Sequence, residues 1–428
     1  MIRVVAIADS DSYLKWSAAT LQAMPAGWQS EQWLIKNPIA PSPAQVRAAT
    51  DRRVDRLGFS QLAARLRRRP PDVLLLAATG PVVQAVLGLG FLRRGGRRPV
   101  LVTGLPGISY PASARAVQLR AGCDLFILHS RHEVSEFAEL AGGLGIKIDF
   151  GLATLPFIEQ SPVSRASLGR PDGHGERAAG SSTPPQRKII FAAQAKVPTQ
   201  ARQRKDILRT FATLPPDRRV VIKLRALSGE QQTHREDLPY PQLWQELVRD
   251  EGYDPDRVEF VAGSMADALA DADGFVTVSS TAALEAIGAD VPILILSDFG
   301  VSAEMINEVF IGSDCLGPLD ELAGPQLRRP STEWLRDNYF HDQEDVDWID
   351  KITELTERRA GSGLSDREAA GVGRVRLIRR QLRLLLPQPV LQLTGRAARA
   401  IKRSRRRLLL GPEAEAVEAN EFRTEPEG

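Results

Sequence analysis

The sequence predicts an α/β protein with two Rossmann-like domains facing a central cleft, followed by a helical segment and a basic tail. Two observations carry this. Short apolar runs alternate with amphipathic stretches of helical period in two separate blocks, the pattern of right-handed βαβ units in a parallel sheet. Between the blocks, residues 160–186 hold Pro-Val-Ser-Arg, Pro-Asp-Gly-His-Gly and Gly-Ser-Ser-Thr-Pro-Pro with almost no large apolar residue. Such a stretch cannot bury a core and reads as a linker, with His174 in it as a solvated side chain.

In the first block, strands are expected at Arg3–Ala8, Gln32–Lys36, Val73–Thr79, Val100–Gly104 and Leu125–His129, with helices over Leu14–Met24 and Phe59–Arg68. In the second, strands are expected at Lys188–Ala193, Val220–Arg225, Val258–Ala262, Phe275–Val278 and Ile293–Leu296. Past residue 330 the pattern turns helical, with Trp334, Leu335, Trp348, Ile349, Ile352 and Leu355 at helical spacing. The expected divisions are 1–158, a linker over 159–187, 188–330, closing helices over 331–365 and a tail over 366–428. In such a chain the ligand cleft lies between the carboxyl ends of the two sheets.

Composition narrows the class. The chain has 428 residues, 43% hydrophobic and 25% charged, ordinary for globular protein and long enough for two to three domains. Cys123 and Cys315 are the only cysteines. That excludes a disulfide framework or thiolate cluster and fits a reducing compartment. No run of about 18 apolar residues appears, and the start reads as a strand rather than a signal peptide, so a cytoplasmic location is expected. From Arg374 to Arg407 there are twelve Lys/Arg and no acid; from Leu408 on there are six Glu and one Arg. Residues 1–373 therefore hold 43 basic against 47 acidic residues. The basic balance belongs to the tail, and no nucleic-acid partner is expected.

The strongest local signal is Gly274-Phe-Val-Thr-Val-Ser-Ser-Thr-Ala-Ala-Leu-Glu-Ala-Ile-Gly288, a strand, a tight turn and a helix. Ser279, Ser280 and Thr281 fall at the turn, where hydroxyls and free first-turn N–H groups would bind phosphate; they serve equally as plain helix caps. Glu285, one turn on, is placed for a ribose hydroxyl pair or for solvent. Upstream, Gly263 and Ser264 end another strand at the same edge. Lys223 and Arg225 alternate to one side of a strand end, suited to a diphosphate, or are snorkelling edge residues. His234, in the polar loop beyond, suits phosphate contact or proton transfer.

In the first block, Asp9 and Asp11 follow the first strand at the cleft, one as a general base, with Asp11 also a helix cap. His129 and His132 compete for that role, or are structural. The Gly-rich exit Thr103-Gly-Leu-Pro-Gly-Ile-Ser-Tyr110 offers Gly104, Gly107 and Tyr110 to a second substrate. No metal-ligand spacing, P-loop or nucleophile elbow occurs, so no metal and no cofactor are expected.

The run Phe191-Ala-Ala-Gln-Ala-Lys-Val-Pro, with Lys223-Leu-Arg, Gly263-Ser-Met, Ser279-Ser-Thr-Ala-Ala-Leu-Glu-Ala and Asp298-Phe-Gly, resembles the donor half of GT-B glycosyltransferases. The whole chain resembles an actinobacterial family described only as glycosyltransferase-like, and distantly the capsule and teichoic-acid polymer transferases. The resemblance implies a nucleotide-sugar donor held by the second domain, a glycan or lipid-linked acceptor at the first, and metal-independent transfer. On it, Ser279, Ser280 and Thr281 hold donor phosphate, Lys223 and Arg225 assist, and Glu285 holds ribose. Two features depart from the family's pattern: Glu304 and Glu308 are only four residues apart, and the His-Pro dipeptide of polysialyltransferases is absent. The competing class is a nucleotide-sugar epimerase or a non-catalytic nucleotide-binding module of the same fold. Finally, Arg374–Arg407 alternates Leu/Ile with Arg, which suits an anionic inner leaflet or a solvated tail.

Overall fold

The computed structural model describes residues 1–37, 40–159, 187–224, 238–324, 327–368 and 374–385. The expected linker, His174, Arg225, His234 and the tail beyond Leu385 lie outside the described residues.

Two parallel sheets form the two lobes. The first has seven strands in the order β3-β2-β1-β4-β5-β6-β7: β1 Arg3–Ala8, β2 Gln29–Ile35, β3 Val54–Leu57, β4 Val73–Ala77, β5 Val100–Gly104, β6 Leu125–Leu128 and β7 Asp149–Leu152. The second has six in the order β10-β9-β8-β11-β12-β13: β8 Arg187–Ala192, β9 Arg218–Lys223, β10 Val258–Val261, β11 Gly274–Thr277, β12 Ile293–Leu296 and β13 Leu316–Gly317. Every pairing within the sheets is parallel. The sequence reading missed β3, β7 and β13. These are strands of two to four residues at or beside sheet edges, too short to announce themselves.

Near-continuous apolar strands follow from burial on both faces. In the first sheet Val5, Ile7, Leu74, Leu76 and Leu101 face helices α3 (Phe59–Arg68) and α4 (Gly80–Leu87). The alternate residues Val4, Ala6, Leu75 and Val102 meet α1 (Asp11–Ala23) and α13 (Trp348–Ala360). In the second sheet Ile189, Phe191 and Ile222 pack on α8 (Ala201–Thr213) and α9 (Tyr240–Glu251). Ile190, Phe275 and Ile293 pack on α11 (Ala282–Gly288) and Trp334 of α12 (Thr332–Asp337).

The lobes are joined at two places. Ile158 of α7 (Pro156–Glu159) lies in the second lobe's core. Further on, the chain leaves α12 and returns to the first lobe, where Trp348, Ile352 and Leu355 bury against β-strand residues. Each such side chain removed from water contributes about 1.5–3 kcal/mol. The return is fixed by polar bonds: Leu152 N donates to Asp347 Oδ1 (2.8 Å), Arg359 Nη1 to Asp72 Oδ1 (2.6 Å) and Arg131 to Asp345. Beyond it, fully buried Asp124 accepts a bidentate pair from Arg98 (2.7 and 2.8 Å) and a third bond from Arg367 (2.6 Å). Two doubly wound sheets with a chain end folded back on the first lobe make the architecture expected from the GT-B resemblance.

Candidate active site between the lobes

In a doubly wound sheet the strand order reverses once, and the carboxyl ends on either side of that point diverge to leave a crevice. In the first sheet the reversal falls between β1 and β4, in the second between β8 and β11. Both points carry a polar bridge. Asp9, just past β1, accepts at Oδ2 from Thr79 N (3.0 Å) and Thr79 Oγ1, just past β4. Gln194, just past β8, accepts at Oε1 from Ser279 N (2.9 Å) and donates from Nε2 to Ser279 Oγ (3.0 Å), just past β11.

Asp9 is fully buried. Its Oδ1 makes no hydrogen bond, although the Ser10 hydroxyl lies near enough to favour the charged form. Burial raises the carboxyl above the ordinary aspartate range, opposed by Thr79, Ser10 and Arg120. Asp11 is the first residue of α1, with Ser10 at the cap position, and pairs with Lys15 one turn on (2.8 Å). The helix-cap reading of Asp11 is therefore corrected to an i,i+4 ion pair.

His129 is corrected as well. Ala153 O stands 2.9 Å from Nδ1, and Trp16 Nε1 donates to Nε2 at 2.8 Å. Nε2 also faces Leu105 O at 3.1 Å, but the Trp16 N–H can only donate, which places the proton of a neutral ring on Nδ1, and burial pushes its pKa down to about 4. No ring nitrogen is left to take a substrate proton; the ring pins α1 to the exits of β6 and β7. Gly104 serves the same packing, since a Cβ there would lie 2.3 Å from Trp16. His132 is exposed and stacks on Tyr110 with centroids 4.6 Å apart.

The loop after β5 reaches the second lobe. Ile108 and Tyr110 pack against the second lobe's core, and Gly107, at φ +109°, stands against Thr281. The sequence reading missed what holds this loop: Glu133, fully buried in α6 (Arg131–Gly143). It accepts from Ser109 N (2.6 Å), His129 N (3.2 Å) and Tyr339 OH (2.6 Å). Burial pushes its carboxyl up to about 7 against the pull of these donors.

On the second lobe the serine turn differs from the open cradle expected. Ser279 N is bonded to Gln194, Ser280 N to Thr277 Oγ1 (3.2 Å) and Ala282 N to Ser280 Oγ (3.2 Å). Thr281 is in the helical region at φ −55°, ψ −23°, and its hydroxyl caps nothing. Among the described residues, what remains for a ligand is Thr281 N–H, its hydroxyl and the Ser280 O–H proton. Buried Lys223 donates to Leu224 O (2.8 Å), its pKa lowered by burial and raised by Glu285. Glu285 is largely buried, which raises its pKa, while Lys223 and Lys15 from the other lobe lower it. Ser264 caps α10 (Met265–Leu269) by accepting from Asp267 N (3.0 Å), and Gly263 at φ +108° has open space where a Cβ would be. Among the described residues no cluster of three His, Cys, Asp or Glu could hold a metal ion.

Two further residues shape this edge without a sequence signal. Buried Arg204 ties the loop after β8 by donating to Gln194 O (3.1 Å), Ala195 O (3.0 Å) and Pro198 O (2.8 Å). Buried Asn307 ties the loop after β12 by donating to Gly300 O (3.1 Å) and accepting from Ser302 N (3.1 Å).

The model of the family described as "Putative glycosyltransferase (DUF6716)" matches residues 4–355, through both lobes and into α13. The chain belongs to this family. Family membership makes it a glycosyltransferase, an enzyme. No curated protein sequence is significantly similar to the chain. Similar solved structures include the Staphylococcus aureus MnaA–UDP complex, at 11% identity and TM-score 0.48, covering 90% of this chain and 98% of that one. A Listeria monocytogenes protein described as a UDP-N-acetylglucosamine 2-epimerase is 13% identical at TM-score 0.45, with 86% and 92% covered. The lipopolysaccharide outer core galactosyltransferase WaaB is 12% identical at TM-score 0.42, with 90% and 99% covered. Among the described residues, no helix is long and apolar enough to cross a membrane.

Proposed function

We propose that the enzyme transfers a sugar from a nucleotide-sugar donor, held against the serine turn of the second lobe, to a glycan or lipid-linked hydroxyl presented by the first. The observation that carries this reading is the pair of polar bridges, Asp9–Thr79 and Gln194–Ser279, at the two switch points. The Gly107 loop crosses between their lobes to meet Thr281.

In this reading the donor diphosphate meets Thr281 N–H, the Thr281 and Ser280 hydroxyls and the Lys223 ammonium. Gly263 lets the nucleoside approach the backbone, and Glu285 takes the ribose hydroxyls. Asp9 Oδ1 accepts the acceptor hydroxyl's proton while that oxygen forms its bond to the anomeric carbon. The bond from that carbon to the diphosphate breaks, and the nucleotide leaves with the electron pair. Donors fixed beforehand at the leaving oxygens lower the barrier because they need no rearrangement as charge develops. Thr79 holds the other Asp9 oxygen, so the carboxyl is oriented, and Oδ1 is buried without a hydrogen-bond partner. The site needs no metal in this reading, since Lys223 and the hydroxyls meet the developing charge.

The test is release of free nucleoside phosphate from each of a set of UDP-, GDP-, dTDP-, CDP- and CMP-sugars, with and without envelope glycolipids. Acceptor-dependent release supports transfer. Conversion of the sugar with no net release favours an epimerase and overturns the reading.

A further inference from the structure

We propose that helix α14 (Arg374–Leu385) docks the enzyme on an anionic lipid surface, through a strip of Ile378, Leu382 and Leu385 bordered by Arg376, Arg379 and Arg383. The inference does not depend on the reaction proposed above.

The helix has three faces. Residues advance by about 100° each, so Leu377, Gln381 and Leu384 share one side. That side is docked on the first lobe: Gln381 Nε2 donates to Ala85 O of α4 (3.1 Å), Leu384 packs on the core, and Leu377 and Gln381 cover Gly88. A substituent on Gly88 would meet both at 2.7 Å, so the fit is close. Next around the helix come Ile378, Leu382 and Leu385, which are 53%, 46% and 49% exposed. Arg376, Arg379 and Arg383 follow, all exposed. The apolar arc is thus about twice as wide as the lobe covers.

Eight large apolar residues are exposed among the described residues; three of them fall on one face of this helix, three lie along the segment 301–311, and Met1 and Leu144 stand apart. Scattered exposure is ordinary, whereas a contiguous strip marks a contact surface. The neighbouring charge says which kind. Burial lowers the pKa of Arg380, and the neighbouring cations Arg115 of α5 (Ala114–Arg120), Arg376 and Arg383 lower it further, while Arg374–Arg407 contains twelve Lys/Arg with no acid. An apolar strip edged by cations suits the boundary between acyl chains and anionic headgroups, with guanidinium groups reaching phosphate while their stems lie on the apolar side. The acidic end of the chain is a poorer occupant, since residues 411–428 offer only Val417 and Phe422 as large apolar groups.

The experiment is sedimentation of the full chain with phosphatidylcholine vesicles, with and without phosphatidylglycerol. Wild type is expected to sediment with the anionic vesicles and to remain in solution with the neutral ones. Joint replacement Ile378→Ser, Leu382→Ser and Leu385→Ser abolishes sedimentation while the melting temperature is kept, because none of the three belongs to a buried core cluster. Joint Arg376→Gln, Arg379→Gln and Arg383→Gln weakens it on the order of a hundredfold. Failure of wild type to bind anionic vesicles overturns the proposal. So does undiminished binding by the serine variant, which would move the contact elsewhere. A wild-type dimer that the serine variant renders monomeric, with no vesicle binding by either, would assign the strip to a second copy instead.

Discussion

A methyl group placed on Gly107 of the first lobe would sit 3.3 Å from Thr281 Cγ2 of the second. The two residues follow strands β5 and β11, from different sheets and 174 positions apart in the chain. Their apposition brings the Gly-rich loop of one crevice against the serine turn of the other. The positive φ of Gly107 is strained for any side chain, and the methyl would also press on Thr281. Gly107→Ala should therefore lower stability by about 1–3 kcal/mol in urea unfolding, and by more than Gly263→Ala, where the space is open. Equal losses in both variants would mean that backbone strain alone matters.

Asp9→Asn should keep the fold and the donor affinity but reduce kcat about 100- to 10,000-fold, the usual share of a positioned base. Asparagine still accepts from Thr79 and lacks only basicity. Because the Asp9 pKa is raised above 3.8 and the base acts ionised, activity should rise with pH through a limb above the ordinary aspartate range. That limb should vanish in the variant. A pH–rate profile of kcat at saturating donor checks both.

Glu133 offers a stability test. Its folded pKa, near 7, exceeds the ordinary glutamate value of 4.5. Between those values the folded chain holds a proton that the unfolded chain has released, so the group's contribution falls as pH rises and levels off above about 7. Melting curves across this window should show wild type losing stability relative to Glu133→Gln as pH increases. Parallel curves would place the Glu133 pKa at its ordinary value. Since Glu133 holds Ser109 and Tyr339 together, the variant should also raise KM for acceptor more than for donor.

Removing Gln194 isolates Ser279. In Gln194→Ala the Ser279 N–H loses its partner in a buried setting, a cost of about 1–3 kcal/mol. The turn should relax and donor binding weaken about 5- to 30-fold, read by calorimetric titration, if about 1–2 kcal/mol of that cost falls on binding.

The chain's return to the first lobe depends on Asp124, which faces Arg98 and Arg367. Asp124→Ala leaves the buried Arg98 guanidinium without its carboxylate. It should destabilise by about 3–5 kcal/mol, measured as a shift in urea midpoint. A shift near zero would mean that the Asp124 pairs do not hold the return, leaving it to α13 packing and the Asp347, Asp72 and Asp345 bonds.

The sheets were legible because strands buried on both faces read as apolar runs, as in Val73-Leu-Leu-Leu-Ala77. Edge strand β3, Val-Asp-Arg-Leu, buries only Leu57 and has no such run. The candidate site was legible where its residues sit at strand exits, as with Asp9 and Ser279, whose roles belong to the proposal. It was opaque where a role depends on a partner far along the chain: Glu133 gains its role from Tyr339, 206 residues later, and His129 loses its role to Trp16, 113 residues earlier. One signal was available. Gln194 stands two residues beyond the first strand of its sheet, near the place Asp9 holds in the other, and comparing the blocks with each other would have found it.

The central claim is that the donor nucleotide binds at Ser280–Thr281. The most direct measurement is the melting temperature of the purified chain against UDP-, GDP-, dTDP-, CDP- and CMP-sugars, for wild type, for Ser280→Ala with Thr281→Ala, and for Asp9→Asn. The account predicts a rise of several degrees with one nucleotide, kept in Asp9→Asn and lost in the double variant. No rise with any nucleotide, or an equal rise in the double variant, would contradict it.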